Sequence, residues 1–177
     1  NKVCLRLPGI DGKAKMSKSL NNCIYLSDSE ADVKQKIMSM FTDPGHLRVQ
    51  DPGKVEGNPV FIYLEAFCRD EHFERYCPDY QNLQEMEEHY ARGGLGDVKV
   101  KKFLNNVMQE ELEPIRKRRK EFEKDIPEIY RILKEGSEAA EAEAARTLSE
   151  VKNAMKINYF EDQALIQEQA ERFASDK

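Results

Sequence analysis

The sequence predicts a mainly α-helical protein with a small α/β fragment at its start, and three observations predict it. From Ser27 onward apolar residues recur at helical intervals, as in Val33, Ile37, Met40 and Phe41. Residues 1 to about 26 instead hold short apolar pieces broken by Pro8, Gly9 and Gly12. Helix start and stop signals then punctuate the rest, notably Asn58-Pro59 and Gly93-Gly94. With mean hydropathy at −0.75, the core has to come from amphipathic helices rather than long apolar runs.

In chain order, Val3 to Leu7 reads as the end of a strand and Cys23 to Leu26 as a second extended piece. Ser27 stands three residues before Glu30, the spacing of a capping box that opens the first helix. Thr42-Asp43-Pro44-Gly45 stops it. Behind Asn58-Pro59, Phe61, Leu64, Phe67 and Cys68 form an apolar face. Leu83, Met86 and Tyr90 make a short helix ended by the glycine pair, and Asp97 is placed to cap the next. That helix carries a stripe from Val100 through Leu104 and Leu112 to Ile115, with Pro114 inside it as an expected kink. Pro127 begins a helix that Gly136 should end, and Ala140, Ala144, Leu148, Val151 and Met155 line a further one. A frayed helix is expected after Asp162. The divisions expected are residues 1–26, 27–136 and 137–177.

Composition narrows the function. A net charge of −5 argues against indiscriminate nucleic-acid binding but leaves room for a local basic patch. No stretch approaches the roughly 20 apolar residues of a membrane span, and no signal peptide is evident. The chain opens on Asn1 rather than Met, as an excised or a processed piece of a longer chain would. Cys4, Cys23, Cys68 and Cys77 form no CxxC pair, so no zinc site is expected, and four reduced thiols in a cytoplasmic protein is the simplest reading.

One loop carries chemistry. Lys15-Met16-Ser17-Lys18-Ser19 sets two ammonium groups and two hydroxyls where they can converge on one polyphosphate. A bare K-x-x-K segment is more often a solvated basic turn. Here the string lies between Leu7-Pro8-Gly9-Ile10-Asp11-Gly12 and Leu20-Asn21-Asn22, and with those flanks it resembles the signature loop of class I aminoacyl-tRNA synthetases. Further matches point to the tryptophanyl branch: Asp32 to Phe41, Asn58 to Tyr63, and Gly93-Gly94-Leu95-Gly96-Asp97-Val98-Lys99 leading to Leu112-Glu113-Pro114-Ile115-Arg116. The tyrosyl enzymes share the fold and the loop and are the nearest alternative; a stand-alone tRNA-binding or regulatory module is another.

The resemblance implies the C-terminal edge of a Rossmann-like α/β catalytic domain followed by a helical anticodon-binding domain. It implies ATP as substrate with Mg2+, tryptophan and tRNA(Trp) as further partners, no membrane, and a homodimeric full-length enzyme. By position, Lys15 and Lys18 would be the catalytic phosphate contacts. Ser17 and Ser19 would bond phosphate or hold the loop, Met16 would pack under the adenosine, and the backbone near Leu7 would edge the adenine. Independently, Ile115 to Lys124 holds six basic residues against two acidic ones. Arg116, Arg118 and Arg119 in this run, with Arg92 and Lys99 beside the glycine turn, are candidate tRNA contacts; a solvated face paired to Glu121 and Glu123 is the alternative. Tyr90 is expected in the core. Some tryptophanyl enzymes hold an iron–sulfur cluster on a Cys-x6-Cys-x2-Cys run near this turn. Tyr90, Asp97 and Val100 stand there instead, and although Cys68 falls about where a more N-terminal ligand would be, no cluster is expected. The family's H-x-G-H element is missing around His46, His72 and His89, so these 177 residues alone are expected to be inactive in aminoacylation.

Overall fold

The structure is a computed structural model that describes residues 6–175. Among these are seven α-helices and a short 3-10 turn over Lys18–Leu20. The chain forms two compact units, one reaching to Lys120 and one starting at Glu121.

In the first unit, α1 spans Glu30–Met38. Its cap is a capping box two residues later than the sequence suggested: Ser29 Oγ accepts from Asp32 N at 3.1 Å, and Asp32 Oδ2 accepts from Ser29 N at 3.3 Å. Asp28 explains the shift, because its carboxylate accepts from Tyr25 N at 2.8 Å and pairs with Lys36 at 2.5 Å. The chain at Ser27 is thereby held in a turn before the helix. α2 (Pro59–Phe67) starts as read, with Asn58 Oδ1 accepting from Val60 N at 3.0 Å. Val60, Phe61, Tyr63 and Leu64 are all buried, which makes α2 the central element of this unit.

α3 (Asp70–Tyr76) was not legible in the sequence. Only His72 and Phe73 of its seven residues are buried, too few to show a period. α4 (Leu83–Arg92) buries Met86 and Tyr90 and ends at Gly93 and Gly94, whose φ values of 87° and 107° suit glycine. α5 (Asp97–Phe122) lays Val100, Phe103, Leu104, Val107 and Leu112 into the core. It continues through Pro114, and Ile115 is exposed rather than part of the buried stripe. Asp97 is its first residue, not its cap, because its carboxylate is engaged by other side chains.

In the second unit α6 runs unbroken over Ile126–Met155, so the helix end expected at Gly136 does not occur. A helical glycine costs about 1 kcal/mol relative to alanine. The alanine-rich sequence and the pairs of Arg131 with Glu128 and Glu135, and of Arg146 with Glu143 and Glu150, offset it. No residue of α6 is buried, including the expected face at Leu148, Val151 and Met155. α7 (Gln163–Ser175) follows Asp162, whose carboxylate accepts from Leu165 N at 3.0 Å.

The expected strand at Val3 to Leu7 lies mostly outside the described residues. Cys23 to Leu26 forms no strand, and the β pairing described is one bridge between Pro8 and Lys15. No helix of the described residues is long and apolar enough to cross a membrane.

Candidate functional site

The segment from Leu7 to Asn22 folds back on itself. Gly9 N donates to Ala14 O at 2.8 Å, and Ile10 N donates to Asn22 O at 2.9 Å. The Asn22 side chain, 3% exposed, ties the turn together. Its Oδ1 accepts from Ser17 N at 2.8 Å, while its Nδ2 donates to Lys15 O and to Asp11 Oδ1, each at 3.2 Å. Gly9 is buried against this amide, where any Cβ would collide with it. Asn21 takes the left-handed conformation (φ 50°) that asparagine tolerates, and its N–H closes the 3-10 turn on Lys18 O.

Helix α2 supports the turn from one side. Tyr63 OH donates to Pro8 O at 2.8 Å and lies 3.5 Å from Met16 Sδ. Burial pushes the Tyr63 phenol up to about 12, so it remains a donor throughout the neutral range. Leu7 packs half-buried against the core. Ser17 and Ser19 bring their hydroxyls within 2.8 Å of each other. Lys15 and Lys18 are exposed on the surface of this turn, where they can meet a polyanion. The expected loop residues thus come together on one short turn. Asn22 and Tyr63 were not singled out by sequence reasoning. Asn22 stood in the quoted flank, but its side-chain role depends on a return bond five residues back.

A second feature lies at the start of α5. A cleft of ≈ 530 Å³ is lined by His46, Arg48, Val49, Asp97, Lys99 and Lys102, among others. Asp97 Oδ1 accepts from Tyr90 OH at 2.7 Å and faces His46 Nδ1 at 3.1 Å. Burial first, then the bond to Asp97, raises the Tyr90 phenol above its ordinary value. Tyr90 is fully buried, as expected of a core residue. Lys99 pairs with Asp79 at 2.6 Å and lies over the Tyr80 ring. Arg92 is exposed beside Tyr80 and Lys99. Toward the end of α5, Arg118 and Arg119 are exposed, whereas Arg116 is 9% exposed with Nη2 2.9 Å from Gln109 Oε1. Cys23, Cys68 and Cys77 are free thiols, and burial raises Cys68 to about 12.

The Asn22-tied turn with its two exposed lysines is seated on a helical unit, and the comparisons show the family to which the chain belongs. The family model described as tRNA synthetases class I (W and Y) matches residues 4–113, and the chain belongs to that family. Among its relatives, the tryptophan–tRNA ligase of Clostridium longisporum is 63% identical over 155 residues, covering 88% of this chain and 43% of that protein. The tryptophan–tRNA ligase of Streptococcus pyogenes serotype M3 is 55% identical over 160 residues, covering 90% and 45%. The chain therefore spans less than half the length of these relatives. A crystal structure of tryptophanyl-tRNA synthetase from Campylobacter jejuni, complexed with ADP and tryptophan, is similar at a TM-score of 0.65 and 25% identity, over 88% of this chain and 45% of that one.

Proposed function

We propose that this chain supplies the ATP-phosphate loop and the tRNA-binding helices of a tryptophan–tRNA ligase. The observation that carries this reading is the Asn22-tied turn, which exposes Lys15 and Lys18 beside the paired hydroxyls of Ser17 and Ser19. In the reaction, a carboxylate oxygen of tryptophan forms a bond to the α-phosphorus of ATP. The bond from that phosphorus to the β-phosphate bridge oxygen breaks, and pyrophosphate leaves with its electron pair. Negative charge grows on the leaving group, and lysines fixed beside it lower the barrier without reorganising. Mg2+ would enter with the nucleotide, held by phosphate oxygens. In this reading residues up to 26 belong to the edge of the Rossmann-like catalytic domain, residues 27–136 to the anticodon-binding helical region, and residues 137–177 to a C-terminal helix and tail. With no H-x-G-H element, the 177 residues alone do not complete the chemistry.

Pyrophosphate titrated into the chain, with and without Mg2+, tests the loop by nuclear magnetic resonance. Saturable shifts at the Ser17, Lys18 and Ser19 amides are expected, lost in a variant combining Lys15→Ala and Lys18→Ala. No response, or an equal response in that variant, would refute a phosphate-binding loop.

For tRNA(Trp), the proposed contacts are Arg92, Lys99, Arg118 and Arg119, near the cleft and at the basic end of α5. Arg116, turned toward Gln109, supports the helix from inside. Arg118→Ala should weaken tRNA binding and lower the slope of log affinity against log salt by about 1. An unchanged slope would remove Arg118 from the interface.

A further inference from the structure

Lys101 is a charged residue in the core of the first unit, 9% exposed, on the face of α5 that meets α1. Its ammonium donates to Met40 O at 2.6 Å and to Met38 O at 3.1 Å. These carbonyls lie at the end of α1, where helical partners run out and a cation is favoured. Burial lowers the Lys101 ammonium below its ordinary value, and Asp97, one turn earlier, counters this.

The Met40 carbonyl and the Phe41 N–H belong to one rigid peptide plane. The oxygen side of that plane is held by Lys101, and its N–H donates to Ile10 O at 2.8 Å. Ile10 N in turn donates to Asn22 O at 2.9 Å, and Asn22 Oδ1 holds Ser17 N at 2.8 Å. A cation on the carbonyl polarises its peptide and strengthens the N–H as a donor. The path from α5 to the lysine turn thus runs through hydrogen bonds, one shared peptide, and the single residues Ile10 and Asn22 that join one bond to the next.

We infer that Lys101 is a positioning residue for the Lys15–Ser19 turn, acting through the Met40–Phe41 peptide and Asn22. This rests on the reading of that turn as the phosphate loop. It assigns to α5, which also lines the cleft at its first turn, the orientation of the loop's anchoring peptide.

The test is amide hydrogen exchange, site by site, on the 177-residue chain with Lys101→Met. Exchange at Phe41 and Ser17 should quicken by about tenfold relative to Leu104 and Val107 in the middle of α5. If all four sites change by the same factor, or Phe41 and Ser17 do not change, the inference is overturned. Should Lys101→Met fail to fold, Lys101→Gln keeps a donor without the charge and is read in the same way. Exchange is measured without nucleotide, so it reports the coupling alone. A failure of the phosphate reading shows instead in the pyrophosphate titration.

Discussion

Changing Lys15 or Lys18 to alanine in a complete ligase is expected to slow adenylate formation by about 10²–10³-fold, on the order of 3 kcal/mol, while tryptophan affinity stays as it was. In the proposed reading the two ammonium groups act on the charge that develops on departing pyrophosphate and not on the bound amino acid. Their stems are exposed and make no part of the core, so the folded state should tolerate the changes. Single-turnover formation of the adenylate and equilibrium binding of tryptophan separate the two effects. Equal losses in both would count against a role confined to the transition state.

Asp97→Ala is expected to cost about 2 kcal/mol of stability. The carboxylate is the acceptor for the buried Tyr90 hydroxyl and the partner of His46, whose side chain is 2% exposed. Removing it leaves both polar groups buried without that partner, and a stranded buried donor costs about 1–3 kcal/mol. Asp97→Asn keeps an oxygen acceptor in place and should lose less. Denaturant unfolding of the two variants checks the order; an Asp97→Ala protein as stable as the parent would show that the pair is not holding α4 to the start of α5.

Much of this architecture was legible in the residues. Asn58-Pro59 and the glycine pair marked helix ends that the structure keeps, because each signal is local: a side-chain acceptor, a ring without N–H, a positive φ. The Val100 to Leu112 stripe was equally plain, since burial along a long helix repeats. What the sequence hid was set by tertiary partners. Asp97 has the chemistry of a cap but is claimed by Tyr90 and by His46, 51 residues away. Lys101 looks like a surface lysine on a charged helix, and only the end of α1 makes it an interior donor. Gly136 looks like a stop, and α6 runs through it because its neighbours are strong helix formers. At the candidate site the lysines and serines were visible as a motif. Asn22 and Tyr63 stood inside the quoted matches, but their part in shaping the loop was not legible, because it is a matter of where the chain returns.

The most direct measurement is amino-acid-dependent exchange of pyrophosphate into ATP, made on a complete ligase that contains these residues. The expected result is exchange that requires tryptophan, is not supported by tyrosine, and falls by at least about 10²-fold when Lys15 or Lys18 is changed to alanine. Exchange supported equally by tyrosine, or left intact by both lysine changes, would contradict it.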